Sequence, residues 1–270
     1  MVAFEVPEVD YTRYSNRQLA AVPLVVLAVA LAILAAWTAM SGAPVALGFE
    51  FTGGTELRVS APGATADDIG SAFSVQPESV QSASDGVYIV TFGPDAPDTD
   101  TLTAQVRDQG YEVPASSDVG ASFGRNTQLL ALGGVGVAFL GMSALVFVMF
   151  RTFVPSIAVV VSAFSDIVIP VAIMNLLGIE LSLGTVAALL MLIGYSVDSD
   201  ILLNNHILRR SGDFYESVNR AMRTGVTMTL TSLSAMIVMT IIATYFGIGL
   251  LAAIGTVLAF GLATDLMNTY

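Results

Sequence analysis

Six long apolar stretches alternate with more polar segments along the chain and make up close to half of its 270 residues. They cover residues 19–40, 129–150, 155–177, 181–203, 225–245 and 248–266. Each has about 20 residues, the length that an α-helix needs to cross a hydrocarbon core of about 30 Å. The first is longer than the apolar part of a cleaved signal peptide. The pattern therefore predicts a polytopic helical membrane protein with six transmembrane helices, the first of them uncleaved.

Residues 41–128 separate the first two apolar stretches and show a different rhythm of short elements. Strand-like segments occupy 55–60, 80–83, 87–92 and the region from 111, and helical patterns occupy 66–73 and 98–109. Thr65 and Asp68 have the spacing of a capping box, and Gly86 ends a predicted hairpin turn. The order β-α-β-β-α-β is that of the split βαβ, ferredoxin-like fold. We therefore expect a small α+β head domain attached to the helical bundle.

The arginine positions predict how the spans are oriented, because cytoplasmic segments of membrane proteins carry an excess of basic residues. Seven arginines fall on one side of the six spans: Arg13, Arg17, Arg151, Arg209, Arg210, Arg220 and Arg223. This predicts a cytoplasmic tail over 1–18, both termini in the cytoplasm and an extracellular head over 41–128. The remaining five spans form a bundle over 129–270, with a cytoplasmic loop at 204–224.

Composition excludes several classes of function. Hydrophobic residues make up 54% of the chain and charged residues 12%, too few charges for a soluble protein of this size. There is no cysteine and one histidine, His206, so neither thiol chemistry nor a multi-histidine metal site is expected. The net charge of −12 argues against binding to nucleic acid. No catalytic triad or phosphate loop is present, so we expect neither an enzyme nor a cofactor. High acidity without lysine suggests a high-salt habitat.

Asp166 is the most informative polar residue in the apolar stretches. It lies eleven positions after Pro155, about 17 Å into the third span and close to the middle of the bilayer. An ionised carboxylate there costs at least about 2.5–3.5 kcal/mol on insertion scales, so Asp166 should face the bundle interior. The functional interpretation is an ion-relay carboxylate. The alternative is a neutral, hydrogen-bonded aspartate that joins two helices.

Asp198 and Asp200 lie near the cytoplasmic end of the fourth span. Two residues on a helix are separated by about 200° of rotation, so both cannot face the same neighbour. At most one should face Asp166, and the alternative places both at the headgroups. Asp265, close to the end of the sixth span, is predicted to be interfacial.

Four motifs carry a resemblance to a known family. Residues 48–55 read Gly-Phe-Glu-Phe-Thr-Gly-Gly-Thr and resemble the signature that follows the first span of the SecD/SecF family. The family's segment before the second span resembles residues 119–124. Its segments at the third and fourth spans resemble 178–180 and 193–198, and its entry to the fifth span resembles 221–224. Their order agrees with six spans, and together they are similar to the SecF branch, in particular its haloarchaeal members.

The resemblance implies roles for individual residues. Gly53, Gly54 and Thr55 would form the hinge between the first span and the head. Asp198 lies where SecD-like sequences carry an aspartate and is therefore favoured over Asp200. Arg223 would serve as a counter-ion for Asp198 or Asp166. Without the motif, Arg223 would be an ordinary anchor at the headgroups.

The family's function is assistance to protein export. The resemblance implies a partner, SecD, docking on the Sec translocation channel, action on emerging secretory polypeptide and coupling to a proton or sodium gradient. Two other interpretations remain open from the sequence. One is a resistance-nodulation-division-type transporter of small apolar molecules or lipids, for which a head of this size is small. The other is a structural subunit whose coupling residues lie on its partner.

Overall fold

Six long helices dominate the computed structural model, which describes residues 15–84, 86–208 and 214–269. They are α1 (Asn16–Ser41), α5 (Ala121–Phe150), α6 (Phe153–Leu177), α7 (Leu183–Leu208), α8 (Phe214–Tyr245) and α9 (Gly249–Thr269). All six are long and apolar enough to cross a membrane. The predicted polytopic helical architecture is therefore confirmed.

The helices extend beyond the apolar stretches that predict them. α5 begins at Ala121 rather than at 129, and α8 begins at Phe214 rather than at 225. Helical turns over 204–208 and 214–224 therefore occupy most of the predicted loop 204–224. Residues 1–14 of the predicted tail, with Arg13, and the two arginines at 209 and 210 lie outside the described residues.

Three of the six helices form the centre of the bundle. Half of the apolar stretch is buried in α6 and in α7, and 39% in α9, against 11% in α1, α5 and α8. α9 packs against α6, α7 and α8. The apolar side chains that α1, α5 and α8 expose are compatible with lipid, because acyl chains are as apolar as leucine. Polar side chains on α6, α7 and α9 are consequently the ones that can meet inside the protein.

The segment between α1 and α5 folds as an α+β domain around one four-stranded sheet. Its elements are α2 (Phe49–Thr52), β1 (Gly54–Ser60), α3 (Ala66–Ser71), β2 (Ser79–Ser84), β3 (Val87–Phe92), α4 (Thr99–Asp108) and β4 (Glu112–Val119). The strand order is β2-β3-β1-β4, with every neighbouring pair antiparallel. This is the ferredoxin-like arrangement predicted from the element order. The short helix α2 is absent from the sequence-based prediction.

One face of the sheet holds the core of this domain. Leu57 on β1 lies opposite Val90 on β3, and both are fully buried. Leu102 and Val106 of α4 cover them from the helical side of the sheet and are also fully buried. Each such side chain contributes about 1.5–3 kcal/mol relative to an exposed one. The opposite face of the sheet is directed towards the membrane helices.

Local signals in the domain agree with the sequence. Thr65 and Asp68 form the predicted capping box at the start of α3. Hydrogen bonds from the backbone N–H and the hydroxyl of Thr65 hold the pKa of Asp68 below its usual value. Gly86 has a φ of 71°, which a glycine accepts without strain, and it ends the predicted hairpin turn. Asp85 of that turn lies outside the described residues.

Candidate functional site

Three carboxylates from three different helices are buried in the centre of the bundle. Asp166 on α6 is 1% exposed, Asp200 on α7 is 4% exposed and Asp265 on α9 is 1% exposed. They lie close enough to interact electrostatically. Because aspartates are rare inside transmembrane segments and expensive when charged, three in one place point to a function.

Asp166 is held by side chains from both neighbouring helices. The Ser196 hydroxyl donates to its Oδ2 at 2.6 Å, and the Asn268 amide donates to its Oδ1 at 2.5 Å. Pro170 follows four residues later in α6 and has no N–H with which to bond the Asp166 carbonyl. The backbone carbonyl of Asp166, next to the carboxylate, therefore lacks its usual helical hydrogen bond.

Asp265 and Asp200 share a second group of hydroxyls. The Ser199 hydroxyl lies 2.9 and 3.0 Å from the two carboxylate oxygens of Asp265. The Thr269 hydroxyl lies 3.1 Å from Asp200 Oδ1 and 3.3 Å from Asp265 Oδ1, so it bridges the two acids. Spacings of three and four residues bring Asp265, Asn268 and Thr269 onto one face of α9.

The electrostatics of this cluster determine its chemistry. In the described part of the chain, the hydrogen-bond partners of the three acids are hydroxyls and one amide, without an arginine. Asp200 Oδ2 and Asn268 Oδ1 are buried and have no hydrogen-bond partner. Across the described residues, no group of three ligating side chains could hold a metal ion. Like charges that meet no counter-ion among the described residues repel one another, so neutralising part of this charge stabilises the cluster.

The structure corrects two of the sequence-based assignments. Asp200, and not the favoured Asp198, faces the interior, while Asp198 is exposed. The 200° rotation between them is as expected, but the packing of α7 against α6 and α9 fixes which one is inside. Asp265 is buried rather than interfacial, because α9 continues to Thr269 beyond the apolar stretch.

Arg223 does not join the buried cluster. It is exposed on α8, and its carbonyl accepts a hydrogen bond from Thr227 at 2.6 Å. Asp198 and Arg223 therefore both lie on the outer surface of the bundle, on the packed helices α7 and α8. The predicted pairing of Arg223 with Asp166 is wrong for this structure, since the partners of Asp166 are Ser196 and Asn268.

Comparison with known proteins identifies the family. Residues 99–270 match the family described as "Protein export membrane protein SecD/SecF, C-terminal". The protein-export membrane protein SecF of Haloferax volcanii is 70% identical over the whole chain and 94% of the relative's length. The SecF of Haloquadratum walsbyi is 68% identical with the same coverage. The chain belongs to the SecF family. The predicted resemblance to haloarchaeal members is thereby confirmed.

A solved structure shares the fold of this SecF chain. It is the crystal structure of SecDF, a translocon-associated membrane protein, from Thermus thermophilus, with a TM-score of 0.72 and 21% identity. The match covers 97% of the present chain but 38% of that protein. The comparison supports six membrane helices joined to a small α+β domain.

The glycine motif of this SecF chain lies where backbones come into close contact. Gly53 has a φ of 83°, and a Cβ there would lie 2.6 Å from the Ala121 Cα. Gly54 has a φ of 132°, and a Cβ would lie 2.0 Å from the Phe92 carbonyl oxygen. Thr55 is buried and donates to Asp118 Oδ1 at 2.9 Å. The motif thus joins β1 tightly to the start of α5, and its role as a hinge stays a prediction.

Substitution of Gly53 by alanine should destabilise the SecF chain more than the same change at Gly63. Both glycines have φ near 80°, which costs alanine about 1–2 kcal/mol. A Cβ at Gly63 meets nothing within 4 Å, whereas at Gly53 the collision adds about 1–3 kcal/mol. Thermal unfolding of the purified full chain in lipid at constant salt measures the difference. Equal losses for the two variants would contradict the close packing.

Proposed function

We propose that the chain is the SecF subunit of a SecD–SecF complex that assists Sec-dependent export of proteins across the cytoplasmic membrane. Family membership carries this proposal, and the fold shared with a translocon-associated SecDF protein supports the pairing with SecD. Its further partners would be the Sec channel and the emerging secretory polypeptide. The role is mechanical rather than catalytic. The transporter interpretation is not favoured by these relatives.

The coupling step in this proposal uses the buried acids Asp166, Asp200 and Asp265. Charging all three inside the bilayer is expensive, so the helices that carry them should pack differently when a proton or cation neutralises the cluster. α6, α7 and α9 are the central helices, and any shift among them changes the whole bundle. An ion passing through the site would in this way alternate the bundle between two arrangements.

Asp198 and Arg223 have a different place in the proposal. Both are exposed on the bundle surface at membrane-spanning helices, where a charge in contact with lipid is unfavourable. We infer that they lie on the surface of the bundle that SecD covers. This also fits the third interpretation, in which part of the coupling set lies on the partner.

The orientation remains as predicted from the arginines. The termini would be cytoplasmic, and the α+β domain would lie outside the cell, where it can meet polypeptide as it leaves the channel. The arginine count supports this, because residues 41–128 carry 12 acids and three arginines.

A depletion experiment tests the export role. In a genetically tractable halophilic archaeon, the resident SecF is placed under a regulated promoter and a Sec-dependent secreted protein is pulse-labelled. We expect precursor to accumulate on depletion and to be cleared when the present chain is expressed. Normal processing throughout depletion would refute the export role, and a membrane-inserted chain that fails to clear precursor would refute it for this protein.

A further inference from the structure

A cavity of about 550 Å³ separates the α+β domain from the membrane helices. Its walls are the open face of the sheet, the turn between α6 and α7, and the first turns of α9. Glu50, Glu56 and Glu180 line it, and they come from α2, β1 and the α6–α7 turn respectively. Negatively charged side chains of the α+β domain and of the membrane helices thus face each other across the cavity.

Hydrogen bonds around the cavity hold the two parts together. Glu50 Oε2 accepts from the Leu183 N–H at the start of α7, at 2.5 Å. The Arg58 guanidinium donates to the Gly247 carbonyl in the α8–α9 turn at 2.8 Å. The Gly48 N–H donates to the Leu181 carbonyl at 2.9 Å. Apolar packing adds to these bonds, since Phe51 of α2 lies in one buried cluster with Leu181 and Leu189. A charge inside the cavity acts against both kinds of contact.

The charges that face the cavity are unbalanced. Glu56 interacts with Glu50, Glu180 and Arg58, and Glu180 interacts with Glu78, which precedes β2. The lining residues of β2, β3, β4 and α9 are all uncharged, among them Gln81, Thr91 and Ser117. Four carboxylates thus meet one guanidinium, whose Nη2 is also bonded to the Gly247 carbonyl.

We propose that this cavity is a carboxylate latch: protonation of Glu56 and Glu180 holds the α+β domain against the membrane helices, and ionisation releases it. The latch responds to the pH of the compartment that the domain faces. It uses no residue of the buried aspartate cluster, and it goes beyond the export role without depending on it.

The direction of the effect follows from the environment of the two acids. Burial, followed by the charges of Glu50 and Glu180, raises the pKa of Glu56, and Arg58 opposes this in part. Burial, followed by the charge of Glu78, raises the pKa of Glu180. The docked form therefore binds protons more tightly than a form with these acids in water. Docking is strongest below the raised pKa values and weakens as the pH rises through them.

Spin labels can measure the docking directly, because the chain has no native cysteine. Gln109→Cys on the α+β domain and Leu176→Cys near the end of α6 are both exposed and give one labelled pair. The full chain in lipid nanodiscs at constant salt is measured by double electron–electron resonance from about pH 4, near the ordinary glutamate pKa, to about pH 8. We expect one narrow distance at low pH and a longer, broader distribution at high pH.

Glutamine variants of the spin-labelled chain test whether Glu56 and Glu180 cause the change in distance with pH. Glu56→Gln with Glu180→Gln should keep the narrow distance at every pH, and each single variant should reduce the shift. Glu112→Gln, an exposed acid on β4 that does not line the cavity, should behave like the parent. A parent distance that does not change with pH would overturn the proposal. So would an undiminished shift in the double variant, or a loss of the shift in Glu112→Gln.

Discussion

Asparagine in place of Asp166 is expected to leave the chain folded and inserted but to slow the clearance of precursor strongly in SecF-depleted cells. The new amide has nearly the size of the carboxylate and can still accept from the Ser196 hydroxyl. Its NH₂ group can donate to Asn268 Oδ1, which is buried without a partner, once the Asn268 amide turns over. The substitution therefore removes charge and proton exchange while it keeps the packing.

The expected size of this effect follows from coupling energetics. A coupling free energy of about 1–3 kcal/mol corresponds to a change of about 5- to 150-fold, and precursor clearance should slow within that range. The measurement is the half-time of precursor processing after a pulse label. Asp67→Asn is the matched control, since Asp67 is exposed on α3 and undergoes the same chemical change. Normal clearance by Asp166→Asn would contradict a coupling role for this residue.

Asp265→Asn is expected to impair export as strongly as Asp166→Asn. Asp265 accepts hydrogen bonds from the Ser199 and Thr269 hydroxyls, and Thr269 also bonds to Asp200. Neutralising Asp265 therefore changes the electrostatic repulsion that acts on Asp166 and on Asp200. The same pulse-label assay measures it, with membrane content of the chain determined by immunoblotting.

The double variant Asp166→Asn with Asp265→Asn gives the sharper comparison. Residues that act as one unit show non-additive effects, so the double variant should be no slower than either single variant. Losses that multiply would indicate two independent structural contributions. A single Asp265→Asn variant with the parent's clearance rate would remove Asp265 from the site.

Much of the fold is predictable from the sequence, because the length of the apolar stretches and the order of the short elements determine it. Bilayer thickness sets the length of the six apolar stretches, and the alternation of short elements specifies the α+β domain. Asp166 was recognisable for the same reason, since an acid in the middle of an apolar stretch has to be accommodated inside the protein.

The rest of the site depends on information that one sequence does not contain. Sequence gives the angle between Asp198 and Asp200 but not the absolute rotation of α7, which its neighbours set. The apolar stretch of the sixth span ends at 266, three residues before the end of α9, and this predicts the wrong position for Asp265. The polar residues Asp265, Asn268 and Thr269 on one helical face were the signal that could have found it. The cavity between Glu56 and Glu180 requires contacts between residues more than a hundred positions apart.

The most direct test of the proposed coupling is the decay of an imposed ion gradient in proteoliposomes that contain the chain together with SecD. Dyes sensitive to pH and to sodium report the two gradients separately. We expect one of the gradients to decay faster with the parent chain than in protein-free liposomes, and Asp166→Asn to return that decay to the protein-free rate. Equal decay with the parent and the Asp166→Asn chain, or no acceleration of either gradient, would contradict ion movement through the buried aspartates.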